Sequence, residues 1–285
     1  SYPSADRFIE DFDADTYAAW VKKRDLGGRL RPLSLYFHLP FCNTLCWFCG
    51  CNKVITNDKG QSVTYVGYLL REMAMQAELC GEHREVMQIH WGGGTPTFLP
   101  AEQMQRLMDA TRQYFDVQED AEISIEIDPR RVEPEQMSLM ATLGFNRISV
   151  GVQDFDPKVQ KAVNRIQSVE QTRNVIVSGR ANGVVSVNVD LIYGLPHQTV
   201  ETFTRTMEQV LELDPDRLSI YNYAHMPALF KPQRMIREAD LPTPETKLQL
   251  LKLAITTLLN AGYVYIGMDH FAKPDDELAV AQRHG

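Results

Sequence analysis

From Leu33 onward the chain switches repeatedly between two hydrophobic periods. Runs rich in β-branched and aromatic residues predict strands at LSLYFHL (33–39), EVMQIHW (85–91), AEISIEID (121–128), RISVGVQ (147–153), VSVNVDLIYG (185–194) and RLSIYNY (217–223). Between them, apolar residues spaced three and four apart predict helices at 62–80, 100–115, 134–144, 157–163, 168–182 and 199–214. A helix at 244–262 and a final strand, YVYIGMD (263–269), complete the pattern.

Regular strand–helix alternation implies parallel strands joined by right-handed crossovers. The pattern holds six β-α units and a seventh strand. A closed eight-unit barrel needs more chain than this. The expected fold is therefore α/β, an open or partial (β/α)6 barrel with outer helices, and a doubly wound sheet is the runner-up. Residues 1–32 are expected to form an N-terminal extension and residues 33–285 the barrel domain. Polar residues gather where the strands end: a cysteine-rich loop, GGGTPT (92–97), Glu126 and Asp128, Gln153 and Asp154, Asp190, and Asn222, Tyr223 and His225. In parallel α/β folds ligands sit beyond the carboxyl ends of the strands, so these residues should share one mouth.

Composition adds exclusions. The net charge of −8 over 285 residues argues against a nucleic-acid footprint. No apolar run approaches a membrane span. Four of the five cysteines fall between Cys42 and Cys51, a poor disulfide framework for a chain of this size. In a reducing compartment, with a cytoplasmic location the expectation, such a cluster binds metal or does redox work. Cys80 stands apart at a helix end and reads as a packing residue. Methionines 73, 75, 104, 108, 137 and 140 fall at helical spacings and read as core filler.

Cys42, Cys46 and Cys49 are spaced C-x3-C-x2-C directly after the first strand. Three thiolates at this spacing can wrap one inorganic centre. In a four-iron cluster, with one thiolate per iron, they would leave one iron open; Cys51 is sterically able to be a fourth ligand. A structural zinc site is the plainer alternative, but zinc wants a second ligand pair and only His38 is near. Gly92-Gly93-Gly94-Thr95 lets a ligand approach the backbone closely, although a simple glycine turn accounts for it equally well. Glu126 and Asp190 are charged residues among apolar neighbours and need a partner; Arg147 is the obvious one for Glu126. Taken singly, Gln153 reads as a hydrogen bonder at the mouth and Arg165 as an exposed helix residue.

The cysteine spacing with Phe48 before the last cysteine resembles the signature of the radical S-adenosylmethionine superfamily. YFHLPFCNTLCWFCGCNK, HWGGGTPT, EISIEIDP, RISVGVQDF, VNR, NVDLIYGLPHQT, RLSIYNYAH and GMDHFAKPDDELA together resemble the oxygen-independent coproporphyrinogen III oxidase family. The resemblance runs through essentially the whole chain. It implies a partial barrel of six β-α units, with the family's N-terminal arm and C-terminal domain outside this sequence. It further implies that Cys42, Cys46 and Cys49 hold a [4Fe-4S] cluster, with Cys51 a non-ligand that has a separate, catalytic role. Tyr36, Gly93, Gly94, Thr95, Glu126, Gln153, Arg165, Asp190 and Ala224 match positions that hold S-adenosylmethionine.

The implied reaction is reductive cleavage of S-adenosylmethionine to methionine and a 5′-deoxyadenosyl radical. That radical abstracts hydrogen from a substrate propionate, which loses CO2 and one electron to become a vinyl group. Two rounds convert coproporphyrinogen III to protoporphyrinogen IX. An unidentified electron donor and acceptor are needed, and the protein is expected to act as a monomer. The anionic substrate calls for Arg or Lys, with Arg24, Arg29 and Arg31 as candidates. Haem chaperones of the same superfamily, which usually lack the fourth cysteine, and an anaerobic haem-opening radical methyltransferase are the alternative readings.

Overall fold

The computed structural model describes residues 11–23 and 31–284. Its elements are α1 (Ala14–Lys23), β1 (Leu33–Leu39), β2 (Phe41–Cys42), β3 (Val54–Ile55), α2 (Gly60–Cys80), β4 (Glu85–Gly93), α3 (Ala101–Tyr114), β5 (Asp116–Ile127), α4 (Pro134–Leu143) and β6 (Arg147–Gln153). They continue with α5 (Pro157–Ala162), α6 (Val169–Ala181), β7 (Ser186–Tyr193), α7 (Val200–Leu211), β8 (Arg217–Asn222), α8 (Pro244–Asn260), β9 (Val264–Gly267), β10 (His270–Ala272) and α9 (Glu277–His284).

The main sheet runs β1-β4-β5-β6-β7-β8-β10-β9. The first six strands pair in parallel and in chain order. A doubly wound sheet reverses its order at a switch point; this one does not, so the partial barrel of six parallel strands holds. The expected final strand 263–269 is corrected. It is a hairpin, with β10 antiparallel to both β8 and β9. Met268 and Asp269 make the turn with positive φ, next to Gly267 at φ 112°, so the run cannot stay extended through 269. β5 starts five residues earlier than expected, at Asp116. Its pairing with β4 breaks between Val86↔Val117 and Gln88↔Glu122, which leaves the polar residues between them as a bulge.

Alternation along the strands separates two faces. Ile89, Trp91, Ile123, Ile125, Ile148, Val150, Val187 and Val189 are buried in the main apolar core. His90, Ser124, Ser149, Asn188 and Ser219 line a polar interior instead. Helices are set by local signals: Ser168 and Gln171 form a capping box at α6, and Gly144 closes α4 in the left-handed region at φ 92°. Five of the six methionines noted above are buried as core; Met75 is 65% exposed. At the base of the interior, Arg147 pairs with Glu122 at 2.9 Å and Arg217 with Asp276 at 2.9 Å, while Glu277 at the start of α9 meets both arginines. Helix α1, within the expected 1–32 extension, packs on α2, where Tyr17 Oη donates to Gln76 Oε1 at 2.7 Å.

Asp154 joins the end of β6 to α7. Its carboxylate accepts from Gln198 Nε2 at 2.6 Å, the Asp156 backbone N–H at 2.6 Å and Thr206 Oγ1 at 3.1 Å. Burial outweighs these bonds and raises its pKa from 3.8 to about 6. The folded protein therefore holds this proton more tightly than the unfolded chain. The associated stability is complete below about pH 4 and is lost as pH rises towards 6. Asp154→Asn is expected to remove that slope. In urea titrations between pH 4 and 7, the wild type should lose about 3 kcal/mol relative to the variant as pH rises.

Candidate active site

The cysteine loop leaves β1 and is fastened on several sides. Parallel pairing of β2 with β3 brings the chain back after Cys51, supported by Val54 N–H donating to Pro40 O at 2.8 Å. Asn164 Nδ2 donates to Leu45 O at 2.8 Å, Trp47 N–H to Val163 O at 2.9 Å, and Gln233 Nε2 to Phe48 O at 3.0 Å.

The glycine run presses against the start of this loop. Gly94 N–H donates to Leu39 O at 2.9 Å. A Cβ on Gly94 would lie 2.7 Å from the Pro40 carbonyl carbon and oxygen, and one on Gly93 (φ 118°) 2.8 Å from the His38 ring. Glycine is thus required by close backbone approach, beyond what a simple turn demands.

One cavity at the carboxyl ends of the strands is lined by Cys42, Cys46, Cys49, Cys51, Gly93, Gly94, Thr95, Glu126, Gln153, Arg165 and Asp190. Among the described residues no cysteine is in a disulfide. Among the described residues, no three His, Cys, Asp or Glu side chains are placed to hold a metal ion. All four clustered cysteines nonetheless line the one cavity. Cys49 is lowered to about 6, chiefly by a hydrogen bond from Cys51, with Lys53 contributing; Cys51 is raised by the same bond. Burial raises the Cys42 thiol, partly offset by Thr95 Oγ1 at 3.6 Å.

Glu126 does not pair with Arg147, which is taken by Glu122, Asp276 and Glu277. Its Oε2 accepts from Gly93 N–H at 3.0 Å, and its Oε1 lies 3.3 Å from His90 Nε2. Tyr36 stacks on His90 with centroids 5.7 Å apart, beside Glu126 but outside the cavity lining. Asp190 accepts from Ser149 Oγ and Asn188 Nδ2, each at 2.8 Å; burial nonetheless raises its carboxyl. Gln153 sits at φ 69° beside a break in the β6–β7 register, a strained conformation of the kind that collects at functional sites.

Arg165 is not the exposed helix residue that its local sequence suggests. It is 8% exposed and donates to Gly151 O at 2.5 Å. A Cβ at Gly151 would lie 2.9 Å from Arg165 Nη2, so glycine there leaves the guanidinium its seat. Arg165 Nε is buried without a partner. Ala224 is exposed in the loop after β8 and does not line the cavity. Arg31 lies by Glu82, Arg84 and Asp116, before the start of β1 and away from the mouth; Arg24 and Arg29 lie outside the described residues. Sequence reasoning missed Arg130, Lys53 and Thr44, which also line the cavity. The one signal for Arg130 was its position two residues after the strand-end Asp128.

The partial barrel carries its clustered cysteines and a glycine-mediated close approach at one mouth, and the sequence profile of the Radical SAM superfamily matches residues 36–210. The chain belongs to that superfamily. It is 50% identical over 285 residues to the oxygen-independent coproporphyrinogen III oxidase of Salmonella typhimurium and 49% identical over 288 residues to that of Pseudomonas aeruginosa. Each alignment covers all of this chain, and the chain spans 61% and 62% of those relatives' lengths. The solved structure of the Radical SAM enzyme coproporphyrinogen III oxidase (HemN) from Escherichia coli superposes with a TM-score of 0.94 at 50% identity, covering 100% of this chain and 64% of that one.

Gly94→Ala tests the close approach. The added methyl meets backbone on two sides, so a stability loss of about 1–3 kcal/mol is expected in chemical denaturation. A neutral result would mean that the cysteine loop is not held against Gly94.

Proposed function

We propose that this chain is the Radical SAM domain of an oxygen-independent coproporphyrinogen III oxidase, which converts two propionates of coproporphyrinogen III to vinyl groups. The observation that carries the reading is the single cavity joining the cysteine loop, the glycine run, Glu126, Gln153, Arg165 and Asp190. The identity to the curated oxidases over the full chain supports it.

Cys42, Cys46 and Cys49 would hold a [4Fe-4S] cluster. The fit rests on free thiols spread around one cavity and on a Cys49 thiol already disposed to ionise. S-Adenosylmethionine would lie beside it. Gly93 to Thr95 offer backbone at close range, and Gln153 offers an amide. Glu126 and Asp190, which are also on the polar interior face, suit the hydroxyls of a ribose. Arg165 supplies positive charge for a carboxylate. Tyr36 flanks Glu126, and Ala224 would contribute only through its backbone. When bound, the cofactor pair supplies the one-electron cleavage that starts hydrogen abstraction; the protein's part is to hold it and keep out water. Cys51, the most open of the four cysteines, would pass a proton rather than bind iron. The reaction draws on an electron donor and an electron acceptor, and its ionisable, unbridged thiols suit a reducing compartment such as the cytoplasm.

The test uses the full-length protein, reconstituted anaerobically with iron and sulfide and supplied with S-adenosylmethionine and a competent reductant. Decarboxylation of coproporphyrinogen III is expected. Haem binding without decarboxylation would overturn the reading in favour of a chaperone. Cys51→Ser should keep its iron yet lose turnover on the order of a hundredfold, the lower range for removing a proton-transferring group. Loss of iron in that variant would make Cys51 a ligand.

A further inference from the structure

We propose that Arg130 is a positioning residue that raises the reduction potential of the cluster by donating to the sulfur of Cys46. The proposal rests on the reading of Cys46 as a cluster ligand.

Asp128 ends the run after β5 and is 9% exposed. Burial alone would raise its carboxyl, but Arg165 and Arg130 outweigh it and hold it at about 2. Arg130 is fixed to it three ways: its backbone N–H donates to Oδ1 at 3.1 Å, its Nε to Oδ1 at 2.9 Å, and its Nη2 to Oδ2 at 2.6 Å. Such a fork leaves the guanidinium little freedom. Held there, Nη2 also reaches Cys46 Sγ at 3.7 Å, while Arg165 Nη1 reaches the same sulfur at 3.6 Å and Asp128 Oδ2 at 3.5 Å. The sulfur therefore faces two cations sharing one carboxylate, a group with one net positive charge.

The other two candidate ligands have different surroundings. Cys42 meets the neutral Thr95 hydroxyl. Near Cys49 there is one cation, the Lys53 ammonium, which also donates to the carbonyls of Cys49 and Cys51 at 3.3 and 3.0 Å. Positive charge and N–H donors at a ligating sulfur favour the reduced, more negative cluster. Arg165 also donates to Gly151 O and is the proposed partner of a ligand carboxylate. Arg130 has neither commitment, so its effect can be isolated.

The experiment is a redox titration of the full-length reconstituted protein followed by electron paramagnetic resonance, in the absence of S-adenosylmethionine. Arg130→Gln is expected to keep its iron and to shift the one-electron equilibrium about tenfold towards the oxidised cluster, a midpoint about 59 mV more negative. Should R130Q take up no cluster, Arg130→Lys decides, since it keeps the charge but loses the fork: a midpoint below wild type supports the proposal. An unchanged midpoint in whichever variant loads would overturn it and leave Arg130 as a partner for Asp128 alone. Full iron content in a Cys46→Ala control would instead overturn the ligand reading beneath it.

Discussion

Two backbones meet at the centre of this structure. The end of β4 and the start of the cysteine loop approach so closely that Gly93 and Gly94 leave no room for a Cβ. The contact is short-range and directional, through Gly94 N–H to Leu39 O. Everything in the cavity depends on it. The loop between Cys42 and Cys51 has little core of its own, and its conformation is imposed from outside by Gly94, by Val163 and Asn164, and by Gln233. Trp47 and Phe48 of the loop pack on a second, smaller apolar cluster that includes Val163, Leu195 and Tyr223, so burial outside the main core helps to give the loop its shape.

The cavity divides its charge. Glu126 and Asp190 stand on strands that also line the polar interior. Arg130 and Arg165 stand with Asp128 against Cys46. A ligand carrying both charge and hydroxyl groups is matched by such a site better than a simple anion or cation. The same partition explains why Arg147 is unavailable to Glu126: it belongs to the ionic floor made with Glu122 and Glu277 at the opposite end of the strands.

Much of this was legible in the residues. The strands 33–39 and 147–153 coincide with β1 and β6, and the strand-end polar residues converge as parallel topology requires. What failed did so for local or long-range reasons. The positive φ at Met268 and Asp269 turned one expected strand into a hairpin, because the apolar pattern continued through a turn made by two non-glycine residues. Arg165 looked exposed because an arginine beside a short helix ordinarily faces water, yet Gly151 on β6 gives its guanidinium a buried seat. Arg130 reaches a sulfur 84 positions away in the chain, a contact no local period encodes. Tyr36 and Ala224 lie outside the cavity lining. Their matches came from family likeness rather than from any physical feature of their segments.

The central claim is that three cysteines hold the cluster and leave one iron open to the cofactor. The most direct measurement is electron–nuclear double resonance on the reduced, reconstituted full-length protein, with S-adenosylmethionine labelled by 15N at its amino group and 17O at its carboxylate. Hyperfine coupling from both labels is the predicted result. Absence of both couplings, with the cofactor bound and the iron complement intact, would contradict the account.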